Sequence, residues 1–179
     1  MNKKLKFTAF AIVGLGILST VISCKSSSQY QELAVKNFDS NQYLGKWFEV
    51  ARMDFKFEKD MKNVTAQYSL KDNGMIDVLN KGFNMKKGEW KEANGKAKFA
   101  KSKDIGALKV SFFGPFYSEY NVVMMDPDYK VALVFGESTK YLWILSREKT
   151  ISTETKNKLV KFAKEKGYNT DELVWTIQD

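Results

Sequence analysis

Between Gly45 and Arg147 the chain consists of short segments in which apolar and polar residues alternate, and turn-forming residues separate these segments. In one segment, Val64, Ala66 and Tyr68 share one face of an extended chain, whereas the intervening threonine, glutamine and serine share the other. Alternation with a period of two residues is typical of β-strands that bury one face. The region is therefore predicted to be all-β, with antiparallel strands.

Turn residues divide this region into eight predicted strands. Asp72-Asn73-Gly74 is a strong hairpin signal, because these residue types tolerate the positive φ angles of a tight β-turn. Asn94-Gly95 leaves one boundary open, since it fits either a hairpin turn or a bulge inside a fourth strand that begins near Glu89. The predicted strands are Gly45–Met53, Asn63–Lys71, Met75–Phe83, a segment ending in Lys96–Lys101, Ala107–Phe113, Ser118–Met125, Lys130–Gly136 and Tyr141–Arg147.

The periodicity changes after the eighth predicted strand, where one amphipathic helix of about 14 residues is expected. Ser152 is a suitable N-cap, Glu154 lies in the first turn, where the helix dipole favours an acid, and Gly167 is a suitable C-cap. A short final strand, Leu173–Ile177, is expected to follow the helix. The apolar stripe of the helix consists of Leu159, Val160, Phe162 and Ala163.

This order of elements favours closure of the sheet. An open sheet leaves unpaired edge strands, whereas an up-and-down barrel pairs every strand on both sides. We therefore expect an eight-stranded antiparallel up-and-down β-barrel with one C-terminal α-helix and a short final strand. The interior of such a barrel is either filled by side chains or wide enough for one small ligand, and the two alternatives lead to different functions.

The first residues of the chain have the composition of a secretory signal peptide. Three lysines precede an apolar run that extends from Phe7 to about Leu18. This run is shorter than the roughly 20 apolar residues that a membrane-spanning helix needs, and a serine-rich stretch follows it. Residues 1–23 are therefore predicted to be a lipoprotein signal peptide.

Cys24 follows this segment directly and is the only cysteine in the chain. An exported protein with one cysteine cannot form an internal disulfide, so the lone thiol needs another explanation. Val21-Ile22-Ser23-Cys24 resembles the bacterial lipobox, in which a branched residue, a tolerant position and a small residue precede the cysteine that receives the lipid. The alternative is an ordinary signal peptide with a cysteine at its cleavage point. Lipidation of Cys24 would attach the protein to a membrane.

The predicted mature chain has two parts. Residues 24–36 contain the lipidated cysteine and a serine-rich stretch that is typical of a flexible tether. Residues 37–179 are numerous enough to form one domain whose core needs no disulfide.

Charge and histidine content argue against several classes of function. The chain has 29 basic and 21 acidic residues, a net charge of +8, and removing the three lysines of the predicted signal leaves +5. No basic block is interleaved with aromatic residues, so no nucleic acid is expected as a partner, whereas a mild attraction to anionic lipid headgroups is compatible with this charge. The chain has no histidine, which removes the usual zinc ligand and every Ser-His or Cys-His pair. No metal, cofactor or catalytic residue is predicted.

Three motifs resemble those of one protein family. The first is Tyr43-Leu44-Gly45-Lys46-Trp47 followed by Phe-Glu-Val-Ala-Arg, and the second is Gly114-Pro115-Phe116-Tyr117 leading into Tyr120-Asn121-Val122. The third is Tyr141-Leu142-Trp143-Ile144-Leu145-Ser146-Arg147. In this order and spacing they resemble the lipocalins over about residues 38–177. With the lipobox, the chain is similar to the outer-membrane lipoprotein subgroup of bacterial lipocalins.

Gly45, Trp47 and Arg147 are predicted to be structural residues. Gly45 is expected to let the chain turn across the barrel floor, where a side chain would collide. Trp47 is expected to plug that floor, and Arg147 is expected to lay its guanidinium on the indole while its donors reach backbone carbonyls. Such a cation–π pair contributes about 0.5–2 kcal/mol, depending on its burial.

Inward side chains of the barrel are the candidate ligand contacts. If Arg147 points inward, strand alternation turns Leu145, Trp143 and Tyr141 inward as well. The same alternation of inward and outward side chains selects residues on other strands, and the resemblance adds Tyr117. For each of them, ordinary core packing is the alternative role. The predicted ligand-binding residues are Trp143, Tyr117, Tyr68, Ala66, Val78, Val110, Phe112 and Tyr141.

Two polar residues in the motifs, Glu49 and Asn121, need partners if they point inward, because an unpaired buried polar group is costly. Each is expected either to pair with donors such as those of Arg147 or to face the polar head of a ligand.

The missing catalytic motifs and the resemblance favour a binding protein over an enzyme. The predicted protein is a membrane-anchored lipocalin that binds, stores or transports a lipid or other small apolar ligand in the cell envelope, with a fatty acid or lysophospholipid favoured. The resemblance implies the outer membrane as its location, and a homodimer is compatible with the sequence. Two alternatives stay open: an enzyme acting on a small apolar substrate, and an envelope interaction module without a ligand.

Overall fold

The structure is a computed structural model that describes residues 29–179. The predicted signal peptide and Cys24 lie outside the described residues. Within 29–179, no helix is long and apolar enough to cross a membrane.

The described chain forms nine strands and two α-helices, with a 3-10 turn before the first helix and another before the last strand. The helices are α1 (Ser40–Tyr43) and α2 (Thr153–Glu165). The strands are β1 (Gly45–Met53), β2 (Met61–Leu70), β3 (Ile76–Asn84), β4 (Glu89–Phe99), β5 (Ala107–Phe113), β6 (Phe116–Met125), β7 (Val131–Phe135), β8 (Leu142–Ser146) and β9 (Leu173–Trp175).

Strands β1 to β8 form a closed antiparallel barrel. Each strand pairs with the next along the chain, and β1 closes the ring by pairing with both β2 and β8. In the closing pairs, Trp47 lies opposite Ala66 and Arg52 lies opposite Trp143. The predicted eight-stranded up-and-down barrel with one C-terminal helix and a short final strand is therefore confirmed.

The boundary that the sequence left open lies inside β4. Gly95 pairs with Val78 in a continuous β3–β4 ladder, so Asn94-Gly95 is neither a hairpin turn nor a bulge. The β3–β4 hairpin turn lies instead at residues 85–88, where Gly88 has a φ of 66°. The other strand boundaries lie within two residues of the predicted ones, and those of β1 and β5 match them.

The C-terminal residues close a gap between β1 and β2. These strands pair only as far as Phe48, and β9 pairs with β1 from Ala51 onward. The Gln178 side-chain amide donates to the backbone carbonyls of Glu49 on β1 and Val64 on β2, both at 2.8 Å. Where β1 and β2 diverge, these two carbonyls have no partner on the neighbouring strand, and Gln178 supplies the donor for each of them.

The two ends of the barrel differ. At one end, here called the floor, strands are joined by residues 71–75, 100–106 and 126–130. At the other end, here called the mouth, they are joined by residues 54–60, 85–88, 114–115 and 136–141.

Helix α2 packs on the outside of the barrel. Ser152 is its N-cap, accepting a hydrogen bond from the Thr155 backbone amide at 3.1 Å, and Gly167 follows the helix with a φ of 89°. Leu159 and Ala163 are buried against the outer wall, in a core separate from the one inside the barrel.

A segment that precedes the barrel, residues 30–38, lies along its outer wall and is here called the strap. Tyr30 packs against Phe135 and Tyr168 and is 4% exposed, although the composition predicted a flexible tether as far as residue 36. Further along, Val35 bonds to the backbone of β6 and of residue 106. The apolar side chains of the strap find a partner surface on the barrel, which the serine-rich composition before them does not indicate.

Candidate functional site

Arg147 and Trp47 seal the floor of the barrel. The guanidinium carbon of Arg147 lies 3.8 Å from the centre of the Trp47 ring, which is fully buried. Arg147 also donates to the backbone carbonyls of Lys46 and Gln42 at 2.7 Å and of Leu44 at 2.8 Å. The guanidinium thus bonds to the chain segment that leads into β1, and burial lowers its pKa.

Glycine is required at position 45 for a different physical reason from the predicted one. A side chain there would approach the Arg147 guanidinium to 3.4 Å, which is close to ordinary contact and not a collision. Its φ of 93° is the stronger constraint, because residues with a Cβ rarely adopt this conformation. The turn into β1 therefore selects glycine through its backbone.

Three tyrosines lie above the floor. The Tyr120 hydroxyl is hydrogen-bonded to those of Tyr43 at 2.5 Å and Tyr68 at 2.9 Å. Burial raises the pKa of all three phenols, that of Tyr68 to about 12. The three phenols therefore stay neutral at physiological pH, and their hydroxyls bond to one another.

A cavity of about 280 Å³ opens above this cluster toward the mouth. Its wall is mainly apolar and aromatic, although a few polar groups reach it. Side chains from strands β1, β2, β3, β5, β6 and β8 and from the mouth segments contribute to the wall. The residues that define its shape are Phe55, Phe57, Glu58, Ala66, Tyr68, Val78, Asn80, Val110, Phe112, Phe116, Tyr120, Tyr141 and Trp143.

Seven of the eight predicted ligand-binding residues line this cavity: Ala66, Tyr68, Val78, Val110, Phe112, Tyr141 and Trp143. Tyr117 does not, and its expected place in the wall is wrong. Its neighbours Phe116 and Ser118 line the cavity, so strand alternation turns Tyr117 outward. There its ring lies 4.5 Å from the Lys98 ammonium. Contact of the other seven with a ligand stays a prediction.

A buried polar cluster borders the cavity near the mouth. Arg52, which is 1% exposed, donates to the Glu49 carboxylate at 2.8 Å and to the backbone carbonyl of Glu58 at 2.7 Å. Thr176 also donates to Glu49, at 2.5 Å. Of the alternatives for Glu49, pairing with an arginine is the one found, although the arginine is Arg52 and not Arg147.

Glu58 reaches into the cavity wall from the β1–β2 connection. Its carboxylate accepts a hydrogen bond from the Trp143 indole at 3.0 Å, and its side chain is 14% exposed. Burial, and then the negative charge of Glu49, raise its pKa well above the usual range. The cavity therefore favours the neutral, protonated form of this side chain.

Two amide side chains carry buried oxygens with no hydrogen-bond partner among the described residues. One is Asn80 Oδ1, in the cavity wall, which offers an acceptor to a ligand. The other is Asn121 Oδ1; the Asn121 amide nitrogen donates to Glu119 at 3.2 Å, and Asn121 does not line the cavity. Asn121 thus pairs with a carboxylate and not with an arginine.

Sequence reasoning missed the contribution of residues 54–60. Phe55 packs edge-to-face against Tyr141 and Trp143, with ring centres 5.7 Å away in both cases. Phe57 lies 5.8 Å from Phe113 across the mouth. The available signal was two phenylalanines between charged residues in a long connection, which is unusual for a solvated loop. Since apolar and polar residues do not alternate in this connection, strand alternation could not predict which of its side chains point inward.

The arrangement is suited to holding an apolar chain. The wall offers apolar contact, the polar groups are mostly bonded to one another, and the tyrosines are neutral. Among residues 29–179, no group of three acidic or cysteine side chains is placed to hold a metal ion.

Comparison with known proteins identifies the family. A family model described as the lipocalin-like domain matches residues 38–178. The chain is 45% identical over 159 residues to the outer membrane lipoprotein Blc of Escherichia coli strain K12, covering 88% of this chain and 90% of that protein. It is 48% identical over 145 residues to the protein of the same name from Vibrio cholerae, covering 80% and 85%.

Solved structures agree with this fold. The cockroach allergen Per a 4 superposes with a TM-score of 0.64 at 22% identity, covering 80% of this chain and 90% of that one. The barrel, the domain match and the identity to these bacterial lipoproteins lead to one conclusion. The chain belongs to the lipocalin family.

Proposed function

We propose that this protein binds a single-chain lipid, a fatty acid or a lysophospholipid, with the acyl chain in the barrel and the polar head at the mouth. The observation that carries this proposal is the open, mainly apolar cavity above the tyrosine cluster. A filled barrel, which would suit an interaction module, has no such space. The family and the chemistry of the wall support binding rather than catalysis.

The size of the cavity favours one acyl chain over two. Small-molecule sites usually measure about 300–1,000 Å³, so 280 Å³ is at the lower limit. A site of this size suits one acyl chain better than two, and the polar end of a long ligand would extend through the mouth.

The energetics point the same way. An acyl chain of about 14 methylenes gains roughly 11 kcal/mol on leaving water, against an association cost of about 4–15 kcal/mol. A bilayer offers the chain a similar environment. The barrel can therefore compete for single-chain lipids, which leave a membrane readily, and competes poorly for two-chain phospholipids.

Charge favours binding with the acyl chain inward. The wall contains the Glu49 carboxylate, and an anionic head beside it would add a second buried negative charge. Exposed lysines lie at the mouth instead, including Lys56, Lys59 and Lys140. A carboxylate or phosphate at the mouth would meet these cations in water.

The proposed location is the outer membrane, with the lipid on Cys24 as the anchor. Support comes from the lipobox-like sequence before Cys24 and from relatives that are named outer membrane lipoproteins. In this position the protein would store single-chain lipids or carry them through the cell envelope.

Titration with a fluorescent fatty acid tests the binding proposal, using the chain that lacks residues 1–24. We expect saturable binding at micromolar concentrations, and at least about tenfold weaker binding by Ala66→Leu, equivalent to about 1.4 kcal/mol. The added side chain of this variant occupies cavity volume. Gln67→Leu places the same side chain on the outer face of β2 and is the matched control. No saturable binding, or an equal effect of both variants, would refute the proposal.

A further inference from the structure

The mouth carries most of the large apolar side chains that the described chain exposes. Eight such residues are exposed in residues 29–179, and five of them lie on or next to the mouth segments. The rim phenylalanines are the most exposed of these, Phe116 at 78%, Phe113 at 66% and Phe57 at 62%. The other two are Met85 and Trp90, on the β3–β4 hairpin. Clustering of this kind marks an interaction surface rather than scattered exposure.

Exposed charge at the mouth is positive. The four mouth segments contain five exposed lysines, Lys56, Lys59, Lys86, Lys87 and Lys140. Their exposed acids are only three, Asp54, Asp60 and Glu137, since Glu58 is mostly buried. The three floor connections, in contrast, contain four lysines and four aspartates. A surface with aromatic side chains surrounded by lysines suits an anionic lipid headgroup layer.

The strap places the N-terminal end of the described chain at the mouth. Tyr30 packs on Phe135, the last residue of β7 before the mouth, and on Tyr168. The Tyr168 hydroxyl in turn donates to the backbone carbonyl of Tyr141, within the β7–β8 mouth segment. From there the strap descends to Phe38, whose amide donates to the backbone carbonyl of Asp104 at the floor.

Covalent geometry limits the distance to the anchor. Five peptide units separate Cys24 from Gln29, and an extended chain spans at most about 3.6 Å per residue, or about 18 Å here. The acylated cysteine would therefore keep the mouth end of the barrel close to the bilayer. A floor-first orientation would require the tether to pass along the length of the barrel as well.

We propose that the mouth of the barrel rests on the bilayer that holds the anchor, with Phe57, Phe113 and Phe116 inserted among the headgroups. This inference rests on the proposed lipidation of Cys24. A single-chain ligand then passes between the membrane and the cavity without crossing open water. A second copy of the chain is a poorer occupant, because it would bring two lysine-rich mouths together.

Fluorescence quenching on the full mature lipoprotein tests the inference. Acylation blocks Cys24, so Pro115→Cys provides a single labelling site at the mouth, and Asp72→Cys provides the matched site at the floor. Each protein, carrying an environment-sensitive fluorophore, is reconstituted in phosphatidylethanolamine–phosphatidylglycerol vesicles that contain spin-labelled lipid. We expect lipid quenching to be about threefold or more stronger at position 115 than at position 72.

Substitution of the three exposed phenylalanines at the mouth tests whether they hold the labelled position close to the lipid. Phe57→Ser, Phe113→Ser and Phe116→Ser combined should reduce the quenching at position 115, whereas Leu70→Ser, at an exposed apolar position near the floor, should not. Equal quenching at the two labelled positions would overturn the inference. A mouth label shielded from both lipid and water, with a dimer in native mass spectrometry, would assign the mouth to a second copy and also overturn it.

Separate readouts distinguish this inference from the proposed function. The mass of the mature chain reports acylation of Cys24, and a chain without acyl groups would end the anchor proposal and this inference together. Failure to bind a fatty acid, with the mouth label still quenched by lipid, would refute the cavity ligand and leave the membrane contact intact.

Discussion

Glu58 is the side chain whose protonation the cavity controls most directly. Because burial and Glu49 raise its pKa in the folded protein, folding favours the protonated form. Its contribution to stability is therefore fully present below the unfolded pKa of about 4.3 and is lost as the pH rises through the folded value. Burial of this carboxyl therefore lowers the stability of the barrel as the pH rises from about 4.3 to the raised pKa of the folded protein.

Replacing this carboxyl should remove the free-energy cost of ionising it inside the folded protein. Glu58→Gln keeps an acceptor for the Trp143 indole and cannot ionise, so we expect its advantage over the wild type to grow by up to about 1.4 kcal/mol per pH unit within that window. Urea unfolding at a series of pH values measures this difference. Glu137→Gln, at an exposed mouth position, is the matched control and should change stability by less than about 0.5 kcal/mol. A constant difference at all pH values would contradict the assignment.

Arg147 contributes to stability through its shape as well as its charge. Arg147→Lys retains the positive charge but loses the planar fork that reaches the carbonyls of Lys46, Gln42 and Leu44 and the stacking on Trp47. We expect a loss of about 2–4 kcal/mol in the free energy of unfolding. Lys130→Ala, an exposed cation at the same end, should cost less than about 0.5 kcal/mol. A loss of less than about 0.5 kcal/mol in Arg147→Lys would show that the positive charge alone is sufficient.

At the scale of the element, β4 keeps the cavity open by lacking a side chain at one position. A Cβ at Gly95 would lie 2.7 Å from a ring carbon of Phe112 on β5. The Phe112 ring can therefore lie against the wall only because the residue beside it is glycine.

Gly95→Val should displace this ring into the cavity. We expect a loss of about 1–3 kcal/mol in stability and weaker binding of the fluorescent fatty acid. Asn94→Val, one residue away on the outer face, adds the same side chain without meeting Phe112 and is the control. Unchanged fatty-acid binding by a folded Gly95→Val protein would show that the ring does not define the binding volume.

At the scale of the whole molecule, local patterns were sufficient to predict the barrel. A period of two residues reports which face of a strand is buried, and closure follows from the cost of free edges. Parity also located Ala66, Val78 and Trp143 on the cavity wall, because one inward residue determines the direction of every second neighbour. Tyr117 was assigned by resemblance, and strand parity, which places Phe116 and Ser118 inward, gives the opposite direction.

The features that escaped prediction depend on contacts between distant parts of the chain. Glu58 accepts a hydrogen bond from Trp143, which lies 85 positions later in the chain. Gln178, near the C-terminal end, bonds to the backbones of both β1 and β2. Neither residue lies in a periodic segment. Tyr30 likewise gains its role only from the surface formed by Phe135 and Tyr168. Such contacts become visible only when the barrel has closed.

The path of the strap determines how the barrel responds to force. Tension applied through the N-terminus acts first at Tyr30, by the mouth, and then on the bonds of Val35 to residues 122 and 106 before it reaches Phe38. A pull directed away from the barrel wall loads these attachments one after another, as in peeling. Such a pull detaches the strap stepwise from Tyr30 to Phe38 before it reaches the first strand of the hydrogen-bonded ring.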